Sequence, residues 1–218
     1  MLRASETQPD APSTDREQRL LTVAQQRQAG LQVIMENVIN PHNLAAIARS
    51  CDAFGVQRLT FTLADPNDRA LLRLGDISSA SAVKWLDYQQ DERGSQQLLT
   101  DLSAAGWTRV ATVAADDAIS LYDVDFTQYE KLALLVGNEK NGLSASGQAA
   151  ADLRLTIPMR GMIGSFNVSV ATAVLLYEIT RQRRADPRDW HLSAADADAL
   201  YQRWLHRERT RRPRRIRR

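Results

Sequence analysis

Two small polar side chains, Ser165 and Asn167, stand where a glycine-rich stretch meets a strongly apolar one. The stretch reads Pro158-Met159-Arg160-Gly161-Met162-Ile163-Gly164-Ser165-Phe166-Asn167-Val168-Ser169-Val170-Ala171 and continues to Glu178. A loop that enters a helix in this way presents free backbone N–H groups, and two side-chain hydrogen-bonding groups lie beside them. Two readings are open: a site for a small polar ligand held against apolar packing, or a loop that caps a core helix.

Two further loops carry chemistry of the same kind. In Asn40-Pro41-His42-Asn43 the proline sets a helix start, and Asn43 is the expected N-cap. Arg49 follows on that helix among Ile47, Ala48 and Cys51, where a guanidinium needs an anion or a carboxylate such as Asp52 or Glu139. The other loop is Gly137-Asn138-Glu139-Lys140-Asn141-Gly142-Leu143-Ser144, in which two glycines around an acid permit close backbone approach to a ligand. It lacks the Gly-Lys-Ser/Thr ending of a P-loop, and Gly-x-Gly-x-x-Gly is absent, so ATP, GTP and NAD are poor cofactor expectations.

The three histidines, His42, His191 and His206, show no ligand spacing, and Cys51 is the single cysteine. No metal, disulfide framework or Ser–His–Asp arrangement is expected. What remains is a positioning site made of backbone amides, small polar groups, one arginine and one glutamate. Such a site suits a reaction whose reactive group is brought by a cofactor.

Strands at 32–35, 58–63, 82–86, 108–114, 131–136 and 153–157 must position these loops, with helices at 43–54, 95–105, 145–151 and 167–183. The alternation predicts an α/β fold: a mostly parallel sheet with helices on both faces and ligands at the carboxyl ends of its strands. Residues 1–13 are polar and contain prolines, and are expected to be disordered. Thr14-Asp15-Arg16-Glu17 fits a capping box, opening a helix in 14–30 that Gly30 stops, with Arg16, Arg19 and Arg27 on its exposed side. The main domain is then 31–184. In 185–218 Ser193 caps a last helix to about residue 209, carrying Leu200, Trp204 and Leu205 on one face.

A net charge of +2 conceals nine arginines between Arg203 and Arg218, with Arg207, Arg209, Arg211 and Arg212 among them. Such a run is the footprint of a polyanion partner or a solvated tail. No signal peptide is read in the polar start, and no apolar run approaches the roughly 18 residues of a membrane span, so a cytoplasmic protein is expected.

Together the three loops resemble those of the SpoU (TrmH) family of RNA ribose 2′-O-methyltransferases. The likeness rests on Asn40 to Gly55, on Gly137-Asn138-Glu139 with Gly142-Leu143-Ser144, and on Ile157-Pro158-Met159 through Ser165-Phe166-Asn167 to Tyr177-Glu178. It spans about residues 31–183. It implies a deep C-terminal trefoil knot, S-adenosylmethionine as cofactor, RNA as substrate and a homodimer with the site completed across the interface. Carried over, Asn43, Arg49, Glu139, Ser165 and Asn167 fall on functional positions, and Thr112, Gly137, Ile157 and Phe166 fall where cofactor contacts are expected. Phe166 departs from the usual leucine, which leaves the pocket shape there open. The short flanking helices are similar to those of the tRNA guanosine-18 2′-O-methyltransferases, which implies tRNA and a grip through Arg16, Arg19 and the tail arginines. Ribosomal RNA, another tRNA position, or a non-catalytic knotted RNA-binding protein are the alternatives.

Overall fold

A computed structural model describes residues 14–63 and 83–210. The expected disorder of 1–13 and the tail arginines Arg211 and Arg212 lie outside the described residues, as does the single-residue start of the strand anticipated at 82–86. The order of elements is α1 (Thr14–Gln25), β1 (Leu31–Glu36), α2 (Pro41–Ala53), β2 (Arg58–Thr62), β3 (Asp87–Gln90), α3 (Ser95–Ala104), β4 (Thr108–Thr112), β5 (Ile119–Ser120), β6 (Leu132–Val136), α4 (Ala145–Ala149), β7 (Leu153–Thr156), α5 (Val168–Ala185) and α6 (Ala194–Thr210).

Residues 28–190 form one unit. Its seven strands make a single sheet in the order β3-β2-β1-β6-β4-β7-β5, and every pairing is parallel. The central strands β1 and β6 are apolar almost throughout because both faces are covered. Leu31, Val33 and Met35 pack with Leu132, Leu134, Val136 and the buried faces of α2 and α5. The alternate residues Ile34, Ala133 and Leu135 pack on the other face with Leu98, Leu99 and Leu102 of α3. Each such buried leucine contributes about 1.5–3 kcal/mol. The order puts β1, β6, β4 and β7 side by side, so four carboxyl ends and their loops share one edge of the sheet.

Within this unit two expectations change. The apolar Val83 and Leu86 form the end of a helical turn rather than a strand, with the Leu86 amide donating to the Val83 carbonyl at 3.2 Å. Their three-residue spacing buries both on one side. The strand follows at Asp87–Gln90 and is polar and half-exposed, so it shows no apolar alternation. The second change is Gly30, which does not end α1. It has a positive φ of 60°, and a Cβ there would lie within 1.8 Å of the Glu130 carbonyl oxygen, a close approach that only glycine allows.

At the far end of α5, Arg183 is 3% exposed. It donates to Gln28 Oε1 and to the carbonyls of Ala29, Gly30 and Tyr129 at 3.0–3.3 Å, and its guanidinium lies 4.2 Å from the centre of the Trp190 ring. Burial pulls this group down to about 10.

The other unit holds α1 and α6. Ser193 caps α6 as expected, accepting from the Asp196 amide at 3.1 Å, and Leu200, Trp204 and Leu205 are buried. Arg27 is not on an exposed side. It is fully buried, with its guanidinium 5.2 Å from the Trp204 ring centre, a cation–π contact that offsets part of the cost of taking the charge out of water.

Candidate active site

Glu36 ends β1, and a four-residue turn brings the chain to α2. Asn40, not Asn43, is the N-cap: it is extended (φ −73°, ψ 116°) and its side chain accepts from the His42 amide, with Pro41 in the first helical turn. The cap falls there because the proline closes the start one residue after Asn40, where its missing N–H costs nothing. Asn43 is thereby free to point sideways. It is 8% exposed, and its Nδ2 donates to Glu139 Oε1 at 2.8 Å. The Asn40 amide donates to the same oxygen at 3.3 Å.

Asn167 caps α5, its Oδ1 accepting from the Ser169 amide at 2.9 Å and the Ser169 hydroxyl at 2.6 Å. With that oxygen occupied, its Nδ2 faces outward and donates to Asn43 Oδ1 at 3.1 Å. A directed chain therefore runs from Asn167 through Asn43 to Glu139 and joins all three loops.

The Glu139 loop is closed by backbone. Asn138 and Gly142 exchange two hydrogen bonds of 2.9 Å, and Gly142 adopts φ 66°. Asn138 Oδ1 accepts from the Lys140 and Asn141 amides, and its Nδ2 donates to the Asn37 carbonyl at 2.9 Å. A Cβ on Gly137 would sit 2.2 Å from Gly142 and Leu143 backbone atoms, so the loop folds back only over glycine.

Between the loops lies a cavity of about 360 Å³. Thr112, Gly137, Ile157 and Phe166 all line it, as do Glu139 and Ser165. Its wall mixes apolar groups (Leu143, Leu155, Phe166) with loop backbone, the mixed lining of small-ligand sites. Thr112 fixes its hydroxyl by donating to the Leu135 carbonyl at 2.9 Å. Phe166 is 41% exposed at the rim. Among the described residues no three His, Cys, Asp or Glu side chains converge as metal ligands.

Arg49 stands apart. It is exposed, and neither Asp52 nor Glu139 takes it as an ion-pair partner among the described residues. Six residues are about 1.7 helical turns, so Arg49 and Asn43 leave α2 in different directions.

The chain matches the model of the SpoU rRNA methylase family over residues 30–177. It belongs to that family. This SpoU methylase is 39% identical over 168 residues to the tRNA (guanosine(18)-2′-O)-methyltransferase of Thermus thermophilus, covering 77% of this chain and 83% of that one. Its fold superposes on the crystal structure of the Aquifex aeolicus TrmH/SpoU tRNA modifying enzyme with a TM-score of 0.73, at 32% identity, covering 89% of this chain and 96% of that one. The Streptomyces viridochromogenes SpoU methyltransferase AviRb, solved in complex with AdoMet, superposes with a TM-score of 0.59 at 29% identity over 81% of this chain and 67% of that one.

On the terminal helices of this SpoU methylase, Arg16 pairs with Glu208 at 2.6 Å and Arg209 with Glu17 at 3.1 Å, while Arg19 and Arg207 are exposed. Two of the expected RNA contacts thus also tie α1 to α6. Sequence reasoning passed over Glu36 and Lys140. Lys140 lines the cavity, and Glu36 was detectable as a charged residue closing a strand whose other residues, Gln32 apart, are apolar.

Proposed function

We propose that this protein transfers a methyl group from S-adenosylmethionine to a ribose 2′-oxygen of RNA, with guanosine 18 of tRNA as the target. The observation that carries the reading is the cavity at which the loops after β4, β6 and β7 meet, joined to α2 by the Asn167–Asn43–Glu139 chain. The cofactor supplies an already electrophilic sulfonium methyl group. Ile157 and Phe166 offer apolar surface to an adenosine, while Gly137 and the loop backbone offer hydrogen-bonding groups. Glu139, Asn43 and Asn167 hold the rim in register, and Ser165 stands where the ribose approaches. The geometry required is a 2′-oxygen in line with the methyl group, and that demand falls on these positioned side chains.

Arg49 grips an RNA phosphate and stabilises charge developing on the 2′-oxygen. A guanidinium stays protonated in proteins, so clamping fits it better than proton removal. Its lack of a partner among the described residues supports a homodimer in which Arg49 completes the cavity of the second subunit. So does the apolar stripe of Val170 and Tyr177, 45% and 58% exposed and two turns apart on α5. The loops that form the cavity are read as a deep trefoil knot, an exception to the unthreaded rule. Arg16, Arg19, Arg207 and Arg209, with Arg211 and Arg212, are the tRNA-gripping cations in this reading, in a cytoplasmic enzyme.

The test is incubation of the purified protein with unmodified tRNA transcript and methyl-labelled S-adenosylmethionine, followed by digestion and mapping. Label at the ribose of guanosine 18 is expected. Label only in ribosomal RNA moves the substrate, and no transfer to any RNA class overturns the catalytic reading.

A further inference from the structure

We propose that Glu36 is a positioning residue for the cofactor loop: its buried carboxylate, holding the amide and hydroxyl of Ser144, sets the Gly137–Leu143 wall of the cavity. The proposal rests on the reading of that cavity as the S-adenosylmethionine site.

Glu36 is the last residue of β1 and only 7% exposed. A carboxylate in such a place must be met by donors. The Ser144 amide donates to Oε2 at 2.7 Å and the Ser144 hydroxyl to Oε1 at 2.9 Å. The same hydroxyl accepts from the Gly147 amide at 3.0 Å, so one serine joins the end of β1 to the first turn of α4. The fit is close: a Cβ on Gly147 would lie 2.8 Å from Glu36 Oε2.

The adjacent residue supplies the other tie. The Asn37 carbonyl accepts from Asn138 Nδ2 at 2.9 Å. Two consecutive residues at the exit of β1 therefore hold the two ends of one loop, Asn138 and Ser144. Every residue between those ends, Glu139 to Leu143, lines the cavity. The tie through Asn37 is a neutral hydrogen bond, whereas the one through Glu36 is charge-assisted and the stronger. Glu36 itself does not line the cavity, so it acts on the cofactor only through the loop.

The experiment compares wild type, Glu36→Gln, Ser144→Ala and the double variant in steady-state methylation of tRNA and in calorimetric titration with S-adenosylhomocysteine. Glutamine keeps the size of the side chain but turns an N–H toward donors. In Glu36→Gln the KM for S-adenosylmethionine and the Kd for S-adenosylhomocysteine are expected to rise about tenfold, with kcat at saturating cofactor within about twofold and the KM for tRNA unchanged. Ser144→Ala shifts both in the same direction, and the double variant is no weaker than the weaker single one, because both remove one link. Unchanged cofactor KM and Kd overturn the proposal, as does a fall in kcat that tracks melting temperature. If Glu36→Gln does not fold, Ser144→Ala decides by the same split. A wild-type protein that binds no cofactor product sinks the assignment of the cavity and the proposal with it, whereas normal wild-type binding beside an unchanged Glu36→Gln sinks the proposal alone.

Discussion

Arg49 and Arg183 carry the same side chain on two helices that pack against each other, α2 and α5. At Arg183 four oxygen acceptors and the face of Trp190 surround the guanidinium. At Arg49 the guanidinium is exposed, and no described residue partners it. An enclosed arginine is committed to holding the chain segments around it, here 28–30, Tyr129 and Trp190. An arginine left over is available to an incoming anion. Surrounding sequence does not distinguish the two, since Arg49 lies among apolar residues and Arg183 follows Arg181 and Gln182 in a polar run.

The sharpest way to break this contrast is Arg49→Lys, which keeps the charge and loses the planar fork. Turnover is expected to fall by about 10²–10³ with cofactor affinity and melting temperature unchanged. Near-normal turnover, measured with tRNA at saturating cofactor, would remove Arg49 from the site. The next largest effect is expected at the other end, where Arg183→Ala strands buried carbonyls and opens a void. A loss of about 2–4 kcal/mol in urea unfolding is expected, with turnover of the folded protein retained. A midpoint within experimental error of wild type would show that Arg183 too is spare.

Arg109 lies between these extremes, pairing with Asp152 at 2.7 Å near the surface. The Arg109 hydrogen bonds hold the Asp152 carboxyl below the usual carboxylate range, against the opposing pull of burial. A lowered folded value means that the pair stabilises above the ordinary range near pH 4 and that this stability is lost as pH falls through the range to the folded value. In Asp152→Asn the acid limb of the stability curve, below about pH 4, should be flatter, by no more than about 1 kcal/mol. Superimposable acid-unfolding curves for the two proteins would show that the pair contributes nothing to the acid limb.

The candidate site was legible as residue types in three loops. Glu139, Ser165, Thr112, Gly137, Ile157 and Phe166 all line one cavity, and Asn43 and Asn167 are hydrogen-bonded to each other beside it. The connections were not legible. Asn43 was expected to cap its own helix, but Asn40 does so and Asn43 bridges to residues 96 and 124 positions away. Such contacts depend on which strands are neighbours. Edge strand β3 was misplaced for a related reason: its pairing with β2 is backbone pairing, which polar residues perform without an apolar signature.

Local physics in the sequence determined the strand–helix alternation, the parallel sheet buried on both faces, and the small polar groups at three strand exits. Period and turn chemistry act over a few residues, so they can be read along the chain. Only the tertiary structure decided that the exits of β1, β6, β4 and β7 lie side by side, that Glu36 anchors the far end of a loop 108 residues away, and that Arg183 rather than Arg49 is enclosed. Strand order is chosen by the packing of the whole core, and no single segment carries it.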